Sequence, residues 1–316
     1  MIDFPVSFTS KEITPWGGMV FLKQMLDKMG FPKVVSACTH LPVSGSNRGY
    51  AREVILGSFL TSIWCGANRF MHTELTRLDP AFARIFGWKN VPAQDVFKRY
   101  FSKFDQVTNL EVSQYFYQWI FDNFHFDHFT LDIDSSVLTR YGNGIEGAKK
   151  GYNPTKRGRK SHHPLIAFVS DVNLVANIWL RSGDTSSANN FLSFLEDTLQ
   201  KLQNKTVGLI RLGSGFFQSE ILDYLEQRPS DYIIAAKFTH PVQRLIASSK
   251  AWIRLDDGIE LCEQDYQSNS WTKARRLIIV RQKIKERPNC TGKKLSLFPE
   301  EEAYRNYQCL CNKPEV

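Results

Sequence analysis

The chain has 316 residues, room for two domains of ordinary size, and its 42% hydrophobic and 23% charged residues exclude wholesale disorder. A net charge of +8 favours a polyanionic partner, since Lys and Arg release counterions on meeting phosphates; a basic surface that serves only solubility is the alternative. No apolar run reaches the ~20 residues that span a bilayer, no basic and then apolar leader opens the chain, and the one close cysteine pair, Cys309 and Cys311, lacks zinc-site spacing, so free thiols in a reducing cytoplasm are expected.

The first ~125 residues carry helical periodicity. Val54, Ile55, Phe59, Leu60, Ile63 and Trp64 predict a helix within Tyr50 to Phe70, and a second over Glu74 to Phe86 stops at Gly87. Pro92 opens a third, Ala93 to Phe104, whose stripe of Val96, Phe97, Tyr100, Phe101 and Phe104 lies beside Lys98, Arg99 and Lys103. Two helices joined by a glycine-containing turn, the second one basic, fit a DNA-binding helix-turn-helix, with Lys98 and Arg99 as phosphate contacts. An ordinary amphipathic pair is the other reading. A fourth helix is expected over Asn109 to Phe121.

Strand periodicity begins near residue 125. Phe129, Leu131 and Ile133 alternate with His128, Thr130, Asp132 and Asp134. Leu165 to Val169 and Leu174 to Leu180 predict two strands joined by a turn at Ser170 to Asn173. A helix capped by Thr185 or Ser186 follows, then strand Val207 to Arg211, helix Glu220 to Gln227 and strand Tyr232 to Ala236. That order predicts a mixed α/β sheet with packed helices. From Ala251 to Ile284 the pattern is β again, and Gln308 to Val316 read as neither strand nor helix.

Asp132 and Asp134 share one strand face, with Cα atoms about 6.5–7 Å apart. Two such carboxylates repel unless a cation or a basic partner neutralises them, so the pair is a candidate magnesium site. The plainer account has one Asp capping a turn and the other at a wet strand end. Lys149, Lys150, Lys156, Arg157, Arg159 and Lys160 stand in a twelve-residue stretch without an acid, interspersed with Gly151, Asn153 and Pro154. A basic loop beside a metal site suits a phosphodiester; a solvated loop without a partner is the alternative. His125, Asp127 and His128 suggest a metal site only weakly, because 127 and 128 point to opposite faces of a strand. His162 and His163 are expected to pack or touch phosphate.

The runs Leu131-Asp-Ile-Asp-Ser-Ser136, Gly151-Tyr-Asn-Pro154, Arg157-Gly-Arg-Lys-Ser-His-His-Pro-Leu-Ile-Ala-Phe168, Trp179-Leu-Arg-Ser-Gly183 and Ser187-Ala-Asn-Asn190 resemble insertion-sequence transposases with a DDE domain, over about residues 10 to 307. The resemblance implies a ribonuclease H-like mixed sheet preceded by a helical domain. It implies domains at 1–124 (helical, DNA-binding), 125–240 (the DDE core), 241–307 (a β-rich insertion) and 308–316 (a tail). It further implies two Asp and one Glu holding two Mg2+ ions for attack on phosphodiesters, with DNA as partner, no membrane, and nucleoid association.

On this resemblance the first catalytic, metal-holding Asp is Asp134, with Asp132 its neighbour. The second belongs where relatives carry Arg-Ala-Asp-Ser-Gly-Phe, but this chain reads Arg211-Leu-Gly-Ser-Gly-Phe216: Gly213 occupies the metal-bridging position. The Glu helix has no counterpart, which implies a C-terminally truncated protein, and Glu300, Glu301 and Glu302 do not match its place. The expectation is a DNA-binding protein without transposition activity, alone or as a homodimer or mixed dimer with an intact transposase. Two other readings stay open: an active nuclease recruiting Asp184 or Asp223, and a remnant that binds protein but not DNA.

Overall fold

The computed structural model describes residues 10–43, 45, 49–142, 144–283 and 304–312, and the chain divides into two units, Met1–Phe124 and His125–Val316. Residues Glu300, Glu301 and Glu302 and the last four positions lie outside the described residues.

The first unit is helical: α1 (Met19–Lys28), α2 (Phe31–Ala37), α3 (Arg52–Trp64), α4 (Thr73–Arg77), α5 (Pro80–Phe86), α6 (Gln94–Phe101) and α7 (Gln106–Asn123). The helix expected over Glu74 to Phe86 is broken into α4 and α5. Asp79 accepts a hydrogen bond from Phe82 N at 2.9 Å, and Pro80, fixed in φ and lacking an N–H, starts a new helix. Gly87 does end α5, at φ +71°. α3 covers its whole apolar pattern, Val54 to Trp64, and the chain then turns at Gly66 with φ +94°. Two aromatic-rich clusters hold the unit, one around Phe31, Val35, Phe82 and Phe86, the other around Ile55, Phe97 and Tyr100.

The second unit is built on a nine-stranded sheet. Its strands are β1 (Phe129–Ser135), β5 (Leu165–Val169), β6 (Leu174–Trp179), β7 (Val207–Leu212), β8 (Asp231–Ala235), β9 (Ile253–Asp256), β10 (Ile259–Tyr266), β11 (Arg275–Lys283) and β12 (Tyr304–Cys311), in the order β6-β5-β1-β7-β8-β12-β11-β10-β9. β1, β5 and β6 form an antiparallel meander, and β7 and β8 run parallel to β1. This is the ribonuclease H-like arrangement that the sequence implied. A smaller sheet, β2 (Leu138–Thr139), β4 (Lys160–His162) and β3 (Lys149–Lys150), leaves the end of β1.

One face of the large sheet carries Phe129, Leu131, Ile133, Ala167, Val169 and Ile210, all essentially buried. Helix α8 (Phe191–Leu202) packs on it with Phe191, Phe194, Leu195 and Leu202. Its start departs from expectation. Asn190, left-handed at φ +57°, precedes the helix, and Ser186 Oγ donates instead to Asn189 Oδ1 at 2.9 Å. Helix α9 (Ser219–Leu225) was foreseen to within two residues; α10 (His240–Ser248) was not.

Two further differences concern the C-terminal half. The β-rich segment makes no separate sheet but extends the core sheet, and the joint is β12, which pairs with β8 on one side and β11 on the other. Gln308 to Cys311, expected to lack structure, therefore lies inside the sheet. Cys309 and Cys311 are too few and too spaced for a local alternation to register, and their pairing partners come from 30 to 80 residues away. Burial raises the Cys309 thiol to about 11, aided by the neighbouring Cys311, so it is inert near neutral pH.

Candidate active site

Alternation on β1 sends Leu131 and Ile133 into the core and leaves Asp132 and Asp134 together on the opposite face, as the sequence required. The two carboxylates then diverge. Asp132 stands across from Arg211 on β7, whose guanidinium forks onto it with Nε–Oδ1 and Nη2–Oδ2 both at 2.6 Å, while Ser170 Oγ donates to Oδ2 at 3.0 Å. The hydrogen bonds from Arg211 hold this carboxyl below the ordinary range, against the opposing effect of partial burial. Asp132 already has its cation.

Asp134 is exposed, and its Oδ1 accepts the Ser135 N–H at 2.8 Å. Gly213, one residue past the end of β7, faces it: a Cβ built on Gly213 falls 3.6 Å from Asp134 Oδ1, an ordinary van der Waals contact. Its backbone is extended at φ −72°, ψ 169°, which any residue adopts. A carboxylate side chain at this position would stand beside Asp134 without strain.

The signature residues around this strand end are scaffold. Arg181 is 8% exposed; it donates through Nε to His163 O at 2.9 Å, through Nη1 to the carbonyls of Ser186 and Asn189, and through Nη2 to Ser135 Oγ at 3.2 Å. Burial lowers its pKa to about 10, so it stays charged at neutral pH. One cation thus ties the residue after Asp134 to the loop before α8. His162 and His163 are buried, their Nε2 atoms paired with Glu146 O at 2.8 Å and Tyr152 O at 2.7 Å, which makes them packing groups. Asn153 donates to Thr139 Oγ1 and accepts from Lys156 N, each at 2.9 Å, fixing the turn of the basic loop.

Gly151 is required by a close approach: a Cβ there would lie 1.9 Å from Gly183 O, and one on Gly183 would lie 2.1 Å from Ser161 O. Gly151→Ala is expected to cost about 3 kcal/mol, the upper end of overpacking because the obstruction is backbone, and to release β3 from β4. Hydrogen exchange over residues 149–162 reads this; unchanged protection would refute the close approach.

Of the six basic residues in this loop, Lys150, Lys156 and Arg157 are exposed and make no ion pair among the described residues. Lys149 pairs with Asp184 at 3.2 Å, Arg159 lies over the Tyr141 ring at 5.7 Å, and Lys160 is half-buried. Lys98 and Arg99 are exposed on α6, Lys98 pairing with Asp95 at 3.2 Å. α5 buries Phe82 and Phe86 in one cluster and α6 buries Phe97 and Tyr100 in the other, with Leu56 and Phe104 packed against both.

The donor set does not fit the two-metal arrangement that the resemblance implies. Asp132 is neutralised by Arg211, Gly213 offers no side-chain oxygen, Asp184 is bound to Lys149 and Ser182, and Asp223 to Arg275 and Ser219. Asp127 accepts Thr206 N at 2.7 Å, and His128 precedes β1 at φ +47°. Among the described residues no group of three His, Cys, Asp or Glu side chains is placed to hold a metal ion, and two hard cations each want about six oxygens. The pairing that sequence reasoning missed is Arg211 with Asp132. Its only signal was a charged residue in an otherwise apolar strand.

No helix among the described residues is long and apolar enough to cross a membrane. None of the curated proteins compared with the chain matches it. Among solved structures it is similar to the piggyBac transposase synaptic complex with hairpin DNA, seen by electron cryo-microscopy, at 13% identity and a TM-score of 0.47, over 94% of this chain. The chain spans 61% of that protein's length. The family model for the transposase DDE domain, group 1, matches residues 3–291. The chain therefore belongs to the DDE transposase family.

Proposed function

We propose that the chain is a DNA-binding member of the DDE transposase family that does not cleave DNA strands. The observation that carries this reading is the facing pair Asp134 and Gly213, at 3.6 Å from carboxylate oxygen to the Cβ position. The family's chemistry needs carboxylates there to hold divalent ions, and one of them is a glycine. Losing that set removes the charge neutralisation on which phosphodiester attack depends.

DNA binding draws support from the hairpin at the same strand end. Lys150, Lys156 and Arg157 project from a small sheet that buried Arg181, His162 and His163 hold in place, with an Asn153 turn to fix its tip. Such cations position a phosphate backbone without reading its sequence. Bound at element ends in the cytoplasm, alone or paired with an intact copy, the protein would compete with active transposase.

Fluorescence anisotropy with duplex DNA at rising salt tests the reading. Binding is expected to weaken as salt rises. Replacing Lys150, Lys156 and Arg157 by Ala should flatten the slope of log K against log salt by about 0.9 for each phosphate no longer neutralised. A folded protein that binds no DNA, or Mg2+-dependent nicking by the wild-type chain, would refute it.

A further inference from the structure

The helical unit contains a cleft of about 660 Å³ with a marked charge bias. Arg77, Arg84 and Lys89 line it with Asn90, and among the described residues no acidic side chain does; its apolar wall includes Leu78, Pro80 and Trp88. Two of the cations have partners: Arg77 pairs with Glu74, and Arg84 Nη2 lies 2.9 Å from Glu12 Oε1 while staying 75% exposed. Lys89 makes no ion pair among the described residues and is exposed.

The wall is firm where it is apolar. Trp88 stacks on Phe86 with ring centroids 4.6 Å apart at 15°, and its six-membered ring would stand 3.1 Å from a Cβ at Gly57 on α3. Leu78, by contrast, is 70% exposed at the rim, an apolar side chain without cover beside three cations. Cations converging on a concave site with an aromatic and an aliphatic wall suit a ligand that is anionic at one end and flat and apolar at the other. A nucleotide unit of single-stranded DNA has that character, whereas the stacked bases of a duplex cannot enter a cleft of this size.

We propose that this cleft is a second DNA-contact site, which seats one unstacked nucleotide of a single strand. Arg77, Arg84 and Lys89 meet its phosphates, and its base lies against Leu78 and the edge of Trp88. The proposal rests on the DNA-binding reading and adds a strand form to it. It gives the helical unit a specificity for unpaired DNA that the exposed lysines of the hairpin cannot supply, because phosphate contacts alone do not distinguish base-paired from unpaired bases.

The test uses the full chain with a labelled single-stranded oligonucleotide and a duplex of the same length. Arg84→Gln/Lys89→Gln is expected to weaken single-strand binding at least tenfold and to flatten its salt slope by about 1.4, at about 0.7 per neutralised phosphate in single strands. Duplex binding should change far less. Leu78→Ser, at an exposed rim, should weaken single-strand binding several-fold with the slope unchanged. Wild-type affinity and slope in the Gln double variant would overturn the cleft while leaving the hairpin reading intact. No binding of either DNA form by the folded wild-type chain would overturn both.

Discussion

Gly213→Asp is expected to create a divalent-cation site beside Asp134. The extended backbone accepts the side chain, and its carboxylate falls beside Asp134, whose Oδ1 is 3.6 Å from the built Cβ. Without metal the two charges repel, so the variant should be less stable than the parent. With Mn2+ the order reverses. For a Kd of about 1 mM, 10 mM metal stabilises the folded state by about 1.4 kcal/mol, or roughly 3–6 °C in melting temperature for a unit of this size. The parent should shift little, since Asp132 is already saturated by Arg211. Thermal melts of both proteins with EDTA or Mn2+ decide the matter. Equal responses would show that residue 213 does not face Asp134. Strand cleavage is not expected to return with this one substitution, because no third carboxylate is placed at the site among the described residues.

Arg275→Met is expected to destabilise the second unit strongly. Arg275, at the start of β11, is almost wholly buried. It reaches Glu226 through Nε at 2.7 Å, also contacts Asp223, and lies over the Trp271 ring at 4.8 Å. Tyr232 of β8 donates to the same Glu226 at 2.9 Å. The network therefore joins the C-terminal strands to α9 and to the core sheet. Removing the guanidinium takes the bidentate partner from the half-buried Glu226, which keeps only Lys273 and Tyr232, at a cost of about 3 kcal/mol and a drop of roughly 6–12 °C in melting temperature. The double variant Arg275→Met/Glu226→Leu should recover much of that loss, since an apolar pair of similar volume removes the stranded charge.

The same network predicts a pH signature. Burial alone would raise the Glu226 pKa, but hydrogen bonds from Arg275, Lys273 and Tyr232, with the Arg275 charge, outweigh it and hold it at about 2. A depressed carboxyl contributes stability that is complete above its unfolded pKa, near 4.5, and is lost as pH falls toward 2. Unfolding free energy should decline across that window in the parent. In Arg275→Met the decline should be smaller, and a parallel decline would place the acid sensitivity elsewhere.

Much of the site could be read from local pattern. The alternation Phe129-Thr-Leu-Asp-Ile-Asp places both carboxylates on one face, because side chains on a strand repeat every two residues. Residue 213, within Arg211-Leu-Gly-Ser-Gly215, was singled out by the family resemblance and not by periodicity. Gly87 ends a helix, and Ser170 to Asn173 makes a turn, with Asn173 left-handed at φ +53°. Helix starts were less legible. The loop before α8 has several residues that could cap, yet the helix starts after the left-handed Asn190 without a side-chain cap hydrogen bond.

By itself the sequence determined the kind of most elements, the shared face of Asp132 and Asp134, the basic stretch and the family signature, all of which depend on neighbours a few residues apart. Tertiary structure alone decided which partners those residues meet. Arg211 neutralises Asp132 from 79 residues away, Gly151 is glycine because Gly183 O passes it, and β12 enters the sheet between β8 and β11. These are strand pairings and backbone approaches of long sequence separation. No periodicity encodes them, and they follow only once the apolar faces have been buried together.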